Sequence, residues 1–172
     1  MLYQLKVTDI PVGKLRDKGT PIENISKYDG KTERILMLTS LEQIMGKKLI
    51  FATKMASVKI VPAEEFITNN RAVASTKFQD DDKLVTVRAA AEGDVVLQTM
   101  NGYFLRFPCG EISEMKKNSK GVRGIKLERD DELEHLYLVD EDGTILYKKK
   151  EVQLNRLKIA KRDGKGTKVR LS

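Results

Sequence analysis

A repeat limits what this chain can fold into. Ile35-Leu36-Met37-Leu38, Leu84-Val85-Thr86-Val87 and Leu133-Glu134-His135-Leu136 start at positions 35, 84 and 133, a spacing of 49 residues each time. Each copy closes on a short basic segment: Arg71-Ala72-Val73-Ala74, then Lys120-Gly121-Val122-Arg123, then Lys165-Gly166-Thr167-Lys168. A period of this size marks an array of equivalent units that bury their apolar faces against one another. It also puts positive charge at corresponding places on successive units.

Within a copy the local signals are those of strands. Leu49-Ile50-Phe51-Ala52, Val95-Val96-Leu97-Gln98-Thr99, Tyr103-Phe104-Leu105-Arg106-Phe107 and Thr144-Ile145-Leu146-Tyr147 are short β-formers bounded by turn residues. Asn101-Gly102 lies between two of them and predicts a hairpin in which both residues tolerate positive φ. Asp142-Gly143 stands before Thr144 in the same sense, whereas Lys54-Met55-Ala56-Ser57 lacks the glycine and predicts a looser turn. Leu41-Glu42-Gln43-Ile44-Met45 predicts one helical turn stopped by Gly46.

Superposing the copies predicts a four-strand unit: an opening strand, a hairpin, a proline-marked connector, and a basic loop leading to a last strand at residues 75–78 or 124–127. Residues 1–30 read as half a unit, with a hairpin strand at 3–7, Ile10 in the connector, and basic loop and last strand at 18–25. The units then run 1–30, 31–82, 83–131 and 132–172, the final one shortened around its hairpin. Four-stranded units at this spacing predict radial blades, as in propellers. The expected fold is all-β, one domain of three to four propeller-like blades, with the basic loops on one side.

Composition narrows the function. A chain of 172 residues suits one domain, and its lone cysteine, Cys109, rules out an internal disulfide framework and fits a reducing compartment. No apolar run approaches the roughly 18 residues of a membrane span. The start resembles no signal peptide, and the expected location is the cytoplasm. Net charge is +7, and from residue 144 onward ten Lys/Arg face only Glu151 and Asp163. A basic segment on a near-neutral body points to a polyanionic partner.

Tyr3-x-Leu5-x-Val7-x-x-Ile10-Pro11 followed by Lys18-Gly19-Thr20-Pro21-Ile22-x-Asn24 resembles the blades of a C-terminal domain found in bacterial type IIA topoisomerases, in the A subunits of DNA gyrase and topoisomerase IV. So does Asn101-Gly102-Tyr103-x-x-Arg106-Phe107 with Lys120-Gly121-Val122-Arg123-Gly124-Ile125-Lys126-Leu127. The resemblance covers nearly the whole chain. It implies a β-pinwheel whose blades exchange strands, which binds and bends double-stranded DNA in the bacterial nucleoid. Its partners would be the remaining domains of the A subunit and the ATPase-bearing B subunit. The basic, glycine-rich box of gyrase subunits does not occur; Lys116-Lys117-Asn118-Ser119-Lys120-Gly121 and Lys161-Arg162-Asp163-Gly164-Lys165-Gly166 come nearest. The ending from Leu154 is more similar to that of a short topoisomerase IV-type domain.

The basic loops name the expected DNA contacts: Lys14, Arg16, Lys18, Arg71, Lys77, Lys116, Lys117, Lys120, Arg123, Lys161, Arg162, Lys165, Lys168 and Arg170. Lysines and arginines on a rim gain affinity by releasing counterions, and loop glycines would let backbone N–H groups approach phosphate. The alternative is a propeller-like module that binds an acidic protein. No catalytic residue, metal site, cofactor or small-molecule substrate is expected. Gly164-Lys165-Gly166-Thr167 lacks the earlier glycine of a P-loop. Asp80-Asp81-Asp82 reads as a solvated turn, and His135 has no ligand partner nearby in sequence. Cys109 reads as a small core or turn residue, and none of the tyrosines reads as a DNA-cleaving nucleophile.

Overall fold

The apolar runs pair into antiparallel hairpins, and everything else is arranged around those pairs. The computed structural model describes residues 1–77, 79 and 81–169. Its strands are β1 (Leu2–Tyr3), β2 (Lys48–Thr53), β3 (Ser57–Pro62), β4 (Ala72–Val73), β5 (Leu84–Ala89) and β6 (Asp94–Thr99), followed by β7 (Tyr103–Pro108), β8 (Val122–Arg123), β9 (Leu133–Leu138), β10 (Thr144–Tyr147), β11 (Lys150–Gln153) and β12 (Thr167–Lys168). Two one-turn helices, α1 (Leu41–Ile44) and α2 (Val139–Asp142), complete the set with several 3-10 turns. Helix α1 forms where the sequence places it: the Ser40 hydroxyl caps it by accepting from the Gln43 N–H, and Gly46 follows at φ 70°.

The sheets do not coincide with the sequence repeats. One four-stranded sheet has the order β5-β2-β3-β8 and the next β12-β7-β6-β9. Each is a hairpin (β2–β3 or β6–β7) flanked by an opening strand and a basic strand that both come from later in the chain. Strand β8 therefore belongs to the repeat after the hairpin it completes, and β12 likewise. Two smaller sheets, β1-β4 and β10-β11, follow the same scheme with fewer strands. The expected last strands are displaced: the basic segment itself pairs, at Val122–Arg123, while residues 124–127 leave the ladder and Ile22–Asn24 forms a 3-10 turn. Phe78, at the end of the other expected last strand, lies outside the described residues.

Residues 35–38 also depart from expectation, forming no strand, with Ile35 and Leu38 exposed. An opening strand pairs with the first strand of the preceding hairpin, as β5 does with β2. Residues 1–30 supply only β1, the equivalent of a second strand. Asp142-Gly143 is not a hairpin turn either. It ends α2, and β10 turns into β11 at Lys148 and Lys149, both at positive φ. Arg88 holds α2 against β5, its guanidinium bonding Asp142 at 2.5 Å and Glu141 at 2.8 Å.

The two main hairpin turns share one design despite their different sequences. Ala56 N–H donates to the Thr53 carbonyl at 2.9 Å, and Gly102 N–H to the Thr99 carbonyl at 2.9 Å. Both third-position residues adopt positive φ, Ala56 at 59° and Gly102 at 81°, so the turn without glycine is not looser. Asn101 is not among the positive-φ residues. An aspartate closes each turn. Asp82 Oδ1 accepts from the Met55 and Lys83 N–H groups at 3.0 and 2.8 Å. Asp131 Oδ1 accepts from Asn101 and Glu132, both at 3.0 Å. Each is 8% exposed, which corrects the reading of Asp82 as part of a solvated turn.

Alternation within the strands divides the core. Ile50 and Ala52 face one way with Val58 and Ile60, and pack against Val95, Leu97, Leu105 and Phe107 of the next sheet. Leu49, Phe51 and Val61 face the other way, against Phe66 and Ile44. Both faces of the central hairpins are thus covered, which is why their sequences are nearly continuous apolar runs. Cys109 is buried at the connector, and burial pushes its thiol pKa up.

Replacing Asp131 by alanine strands two backbone donors and should cost about 1–3 kcal/mol, read as a lower urea midpoint at unchanged slope. Asp82→Ala should do the same from the other hairpin. A change below about 0.5 kcal/mol in both would show that the turns do not depend on these acids.

Candidate nucleic-acid interface

Three short strands within the basic segments occupy equivalent places: β4 pairs with β1, β8 with β3, and β12 with β7. The partner is a hairpin's second strand (β3 or β7) or its equivalent (β1), so the loops that precede these strands recur on one side of successive sheets. Gly121 and Gly166 are required by this docking. A Cβ on Gly121 would lie 2.8 Å from the Val58 carbonyl oxygen, and one on Gly166 would lie 2.7 Å from that of Phe104. Their φ values, 94° and 73°, are also those a side chain disfavours.

The third residue of three of the 3-10 connectors is an acid that grips the basic loop of the next repeat. Glu65 accepts from the Lys117 N–H at 3.4 Å, and the Lys117 ammonium returns to the Glu65 carbonyl at 3.0 Å. Glu111 accepts from the Arg162 N–H at 2.9 Å, and the Arg162 guanidinium returns to the Glu111 carbonyl at 3.0 Å. Asp9 meets Arg71 at 3.4 Å in the first copy.

These contacts sort the expected DNA-binding residues. Lys117 and Arg162 are committed to neighbouring backbone. Arg123 is committed to Asp163, which it bonds through both Nε and Nη2. That hydrogen bond holds the Asp163 carboxyl below the usual aspartate range and raises the Arg123 pKa. Because the folded pKa of Asp163 is depressed, its contribution to stability is present above the ordinary aspartate pKa and is lost only in stronger acid.

Lys14, Arg16, Lys18, Lys77, Lys116, Lys120 and Lys161 are exposed, with no side-chain partner among the described residues. Lys165 stands 3.6 Å from Glu128, and Lys168 lies over the Tyr103 ring at 5.3 Å. Arg170 lies outside the described residues.

The structure brings the second and third loops together. Arg162 donates to the Arg123 carbonyl at 2.6 Å, Asp163 N–H to the Gly124 carbonyl at 2.7 Å, and Lys126 N–H to the Gly164 carbonyl at 2.9 Å. No hydrogen bond or ion pair links residues 13–19 to the other basic loops among the described residues. The charge missed at the sequence level is Lys59, 3% exposed beneath the second loop. Its signal was a lysine inside the apolar run Val58-Lys59-Ile60-Val61. Among the described residues there is no group of His, Cys, Asp and Glu that could hold a metal ion, and no helix is long and apolar enough to cross a membrane.

A family model described as DNA gyrase C-terminal domain, beta-propeller, matches residues 47–91 and 93–140, spanning both central hairpins. The chain belongs to the DNA gyrase C-terminal domain family. The DNA gyrase A subunit of Lawsonia intracellularis is 32% identical over 128 residues, covering 73% of this chain and 16% of that protein. The gyrase A subunit from Chlamydia trachomatis serovar D is 31% identical over 149 residues, covering 84% of this chain and 18% of that protein. The chain therefore spans under a fifth of the length of these gyrase relatives. Among solved structures, the C-terminal domain of DNA topoisomerase IV superposes with a TM-score of 0.81 at 23% identity, over 94% of this chain and 53% of that one. The DNA gyrase A C-terminal domain gives 0.71 at 18% identity, over 89% and 53%. At these identities the likeness shows the fold, and it agrees with the propeller-like sheets described above.

If the connector acids hold the loops of this gyrase-family fold, Glu65→Ala should speed backbone hydrogen exchange in residues 116–120 while leaving residues 161–166 unchanged. Glu111→Ala should show the reverse. Equal exchange in both variants would remove the acids from that role.

Proposed function

We propose that this chain binds duplex DNA without sequence preference and bends it, as part of the A subunit of a type IIA topoisomerase. In that role it would assist supercoil control or decatenation in the bacterial cytoplasm, close to the nucleoid. Strand cleavage and ATP hydrolysis would belong to the remaining domains of the A subunit and to the B subunit.

The observation that carries this reading is the joined second and third loops, which hold exposed Lys116, Lys120, Lys161 and Lys165 on one scaffold. Duplex DNA presents about one charge per 1.7 Å of axis, so cations at fixed spacing gain by displacing counterions. Nothing among the described elements has the length of a recognition helix, since both helices have four residues. Phosphate contact without base readout is what such loops can do. Bending 20–30 base pairs by 40–90° costs roughly 1–6 kcal/mol, which contacts on successive blades would offset. Family membership, with gyrase A subunits among the relatives, supports the same reading.

Fluorescence titration of linear duplexes against salt tests it. Affinity should fall steeply with ionic strength for unrelated sequences, and replacing Lys116 and Lys120 by alanine should lower the log–log slope by about 2. Asp163→Asn should act oppositely, strengthening binding by freeing Arg123. Absence of a complex at low salt would reject the proposal, and an unchanged slope would remove the two lysines from the interface.

A further inference from the structure

Lys59 lies on β3 with 3% of its surface exposed and no bonded carboxylate among the described residues. Its ammonium donates to the Lys117 carbonyl at 2.5 Å and the Ser119 carbonyl at 2.6 Å, with the Phe51 ring centroid 5.6 Å away. Those carbonyls belong to the turn closed by the Ser119 N–H on the Lys116 carbonyl at 3.0 Å, between the exposed Lys116 and Lys120. One buried charge therefore supports the turn from below.

The next sheet provides a comparison inside the same molecule. Counted from the matching turn residues Thr53 and Thr99, Leu105 on β7 holds the place of Lys59. It lies beneath the third loop, its Cδ1 3.3 Å from where a Cβ on Gly164 would sit. A leucine thus satisfies this position in one blade, and the fold does not require an ammonium in the other. An unpaired buried charge costs stability, so its presence beneath a basic loop calls for another reason.

We infer that Lys59 is a positioning residue for DNA binding, its charged head holding the 116–120 turn in the shape that presents Lys116 and Lys120 to phosphate. This rests on the DNA-binding reading above. The ionisable groups around Lys59 are Lys117, whose ammonium bonds the Glu65 backbone carbonyl, and Glu65, whose carboxylate accepts from the Lys117 backbone N–H, then Lys116 and Lys120 on the loop, Glu64 on the connector, and the Lys48–Glu114 pair at the far end of the hairpin. None neutralises it. Burial pushes the Lys59 pKa down to about 8, so the strut loses its charge in mildly alkaline solution. The neutral amine keeps two hydrogens for the two carbonyls but loses the charge assistance. Since the folded pKa lies below the unfolded one, the unfolded chain binds more protons between about 8 and 10.5, and stability from this group rises across that window. Holding the loop and stabilising the fold therefore respond to pH in opposite directions.

The test compares Lys59→Leu, which copies the second blade, with Lys59→Arg, which keeps the charge. Lys59→Leu should raise the thermal midpoint at pH 7 and abolish the stability rise above pH 8. It should also speed hydrogen exchange in residues 117–120 but not in 162–166. Its affinity for a linear duplex should drop several-fold at pH 7, and the wild-type loss of affinity between pH 7 and 9 should become shallower. Lys59→Arg should restore affinity and hold it across that range. Unchanged exchange in 117–120 together with unchanged DNA affinity in Lys59→Leu would overturn the inference while leaving DNA binding intact. If the wild-type chain shows no affinity for DNA at low salt, the underlying reading falls and this inference with it.

Discussion

The ladder between each hairpin and the strands sent back from the following repeat is the constraint on which the rest depends. Strands β2 and β3 become a four-stranded sheet only when β5 and β8 arrive from the next copy, and β6 and β7 wait in the same way for β9 and β12. Neither four-stranded blade completes itself from its own repeat. Cohesion therefore passes along the chain as a series of nearest-neighbour terms, in which losing one donated strand exposes the hairpin beneath it. The largest apolar cluster agrees, because it lies between two sheets and draws Ile50 and Val58 from one and Leu97 and Phe107 from the other.

Acids occupy two structural positions in this scheme. Asp82 and Asp131 stand 49 residues apart and close the hairpin turns from the strand that follows, tying a donated strand to the turn it lies against. Asp9, Glu65 and Glu111 are the third residues of their connectors and meet the basic loop of the next repeat. The corresponding place after β11 is Arg156, in the 3-10 turn Leu154–Arg156. A basic loop docking there would meet like charge instead of a carboxylate. The connector grip that recurs three times thus changes sign at this turn, and the carboxylate-to-loop contact is specific to the earlier blades.

Much of this was legible in the sequence, because periodicity survives where packing demands it. The central hairpins, the one-turn helix after Ser40, the burial of Cys109 and the propeller-like class all follow from local pattern. Strand exchange does not follow from periodicity, since a repeat gives the same spacing whether a strand pairs within its own copy or across copies. Ile35-Leu36-Met37-Leu38 illustrates this: it has the composition of an opening strand but lacks a ladder partner among the described residues. Composition also misled at Asp82, where a run of acids looked solvated although one member accepts two backbone hydrogen bonds. The candidate site was legible as a set of loops but not residue by residue. Lys117, Arg123 and Arg162 look identical in sequence to the exposed cations, and only the fold shows that their heads are spent on Glu65, Asp163 and Glu111.

That division changes what the basic charge means. Net charge counts every cation alike, yet counterion release is driven only by those free to meet phosphate. The paired cations contribute indirectly. Arg162, bonded to the Glu111 and Arg123 carbonyls, fixes the third loop to the second blade and so sets the spacing between Lys116 or Lys120 and Lys161 or Lys165. Lysines on loops free to move would surrender more conformational entropy on meeting a rigid polyanion, whereas loops already pinned to their neighbours surrender less. On the proposed DNA-binding reading, the cations paired within the protein would be the ones that let the exposed lysines act as a single surface.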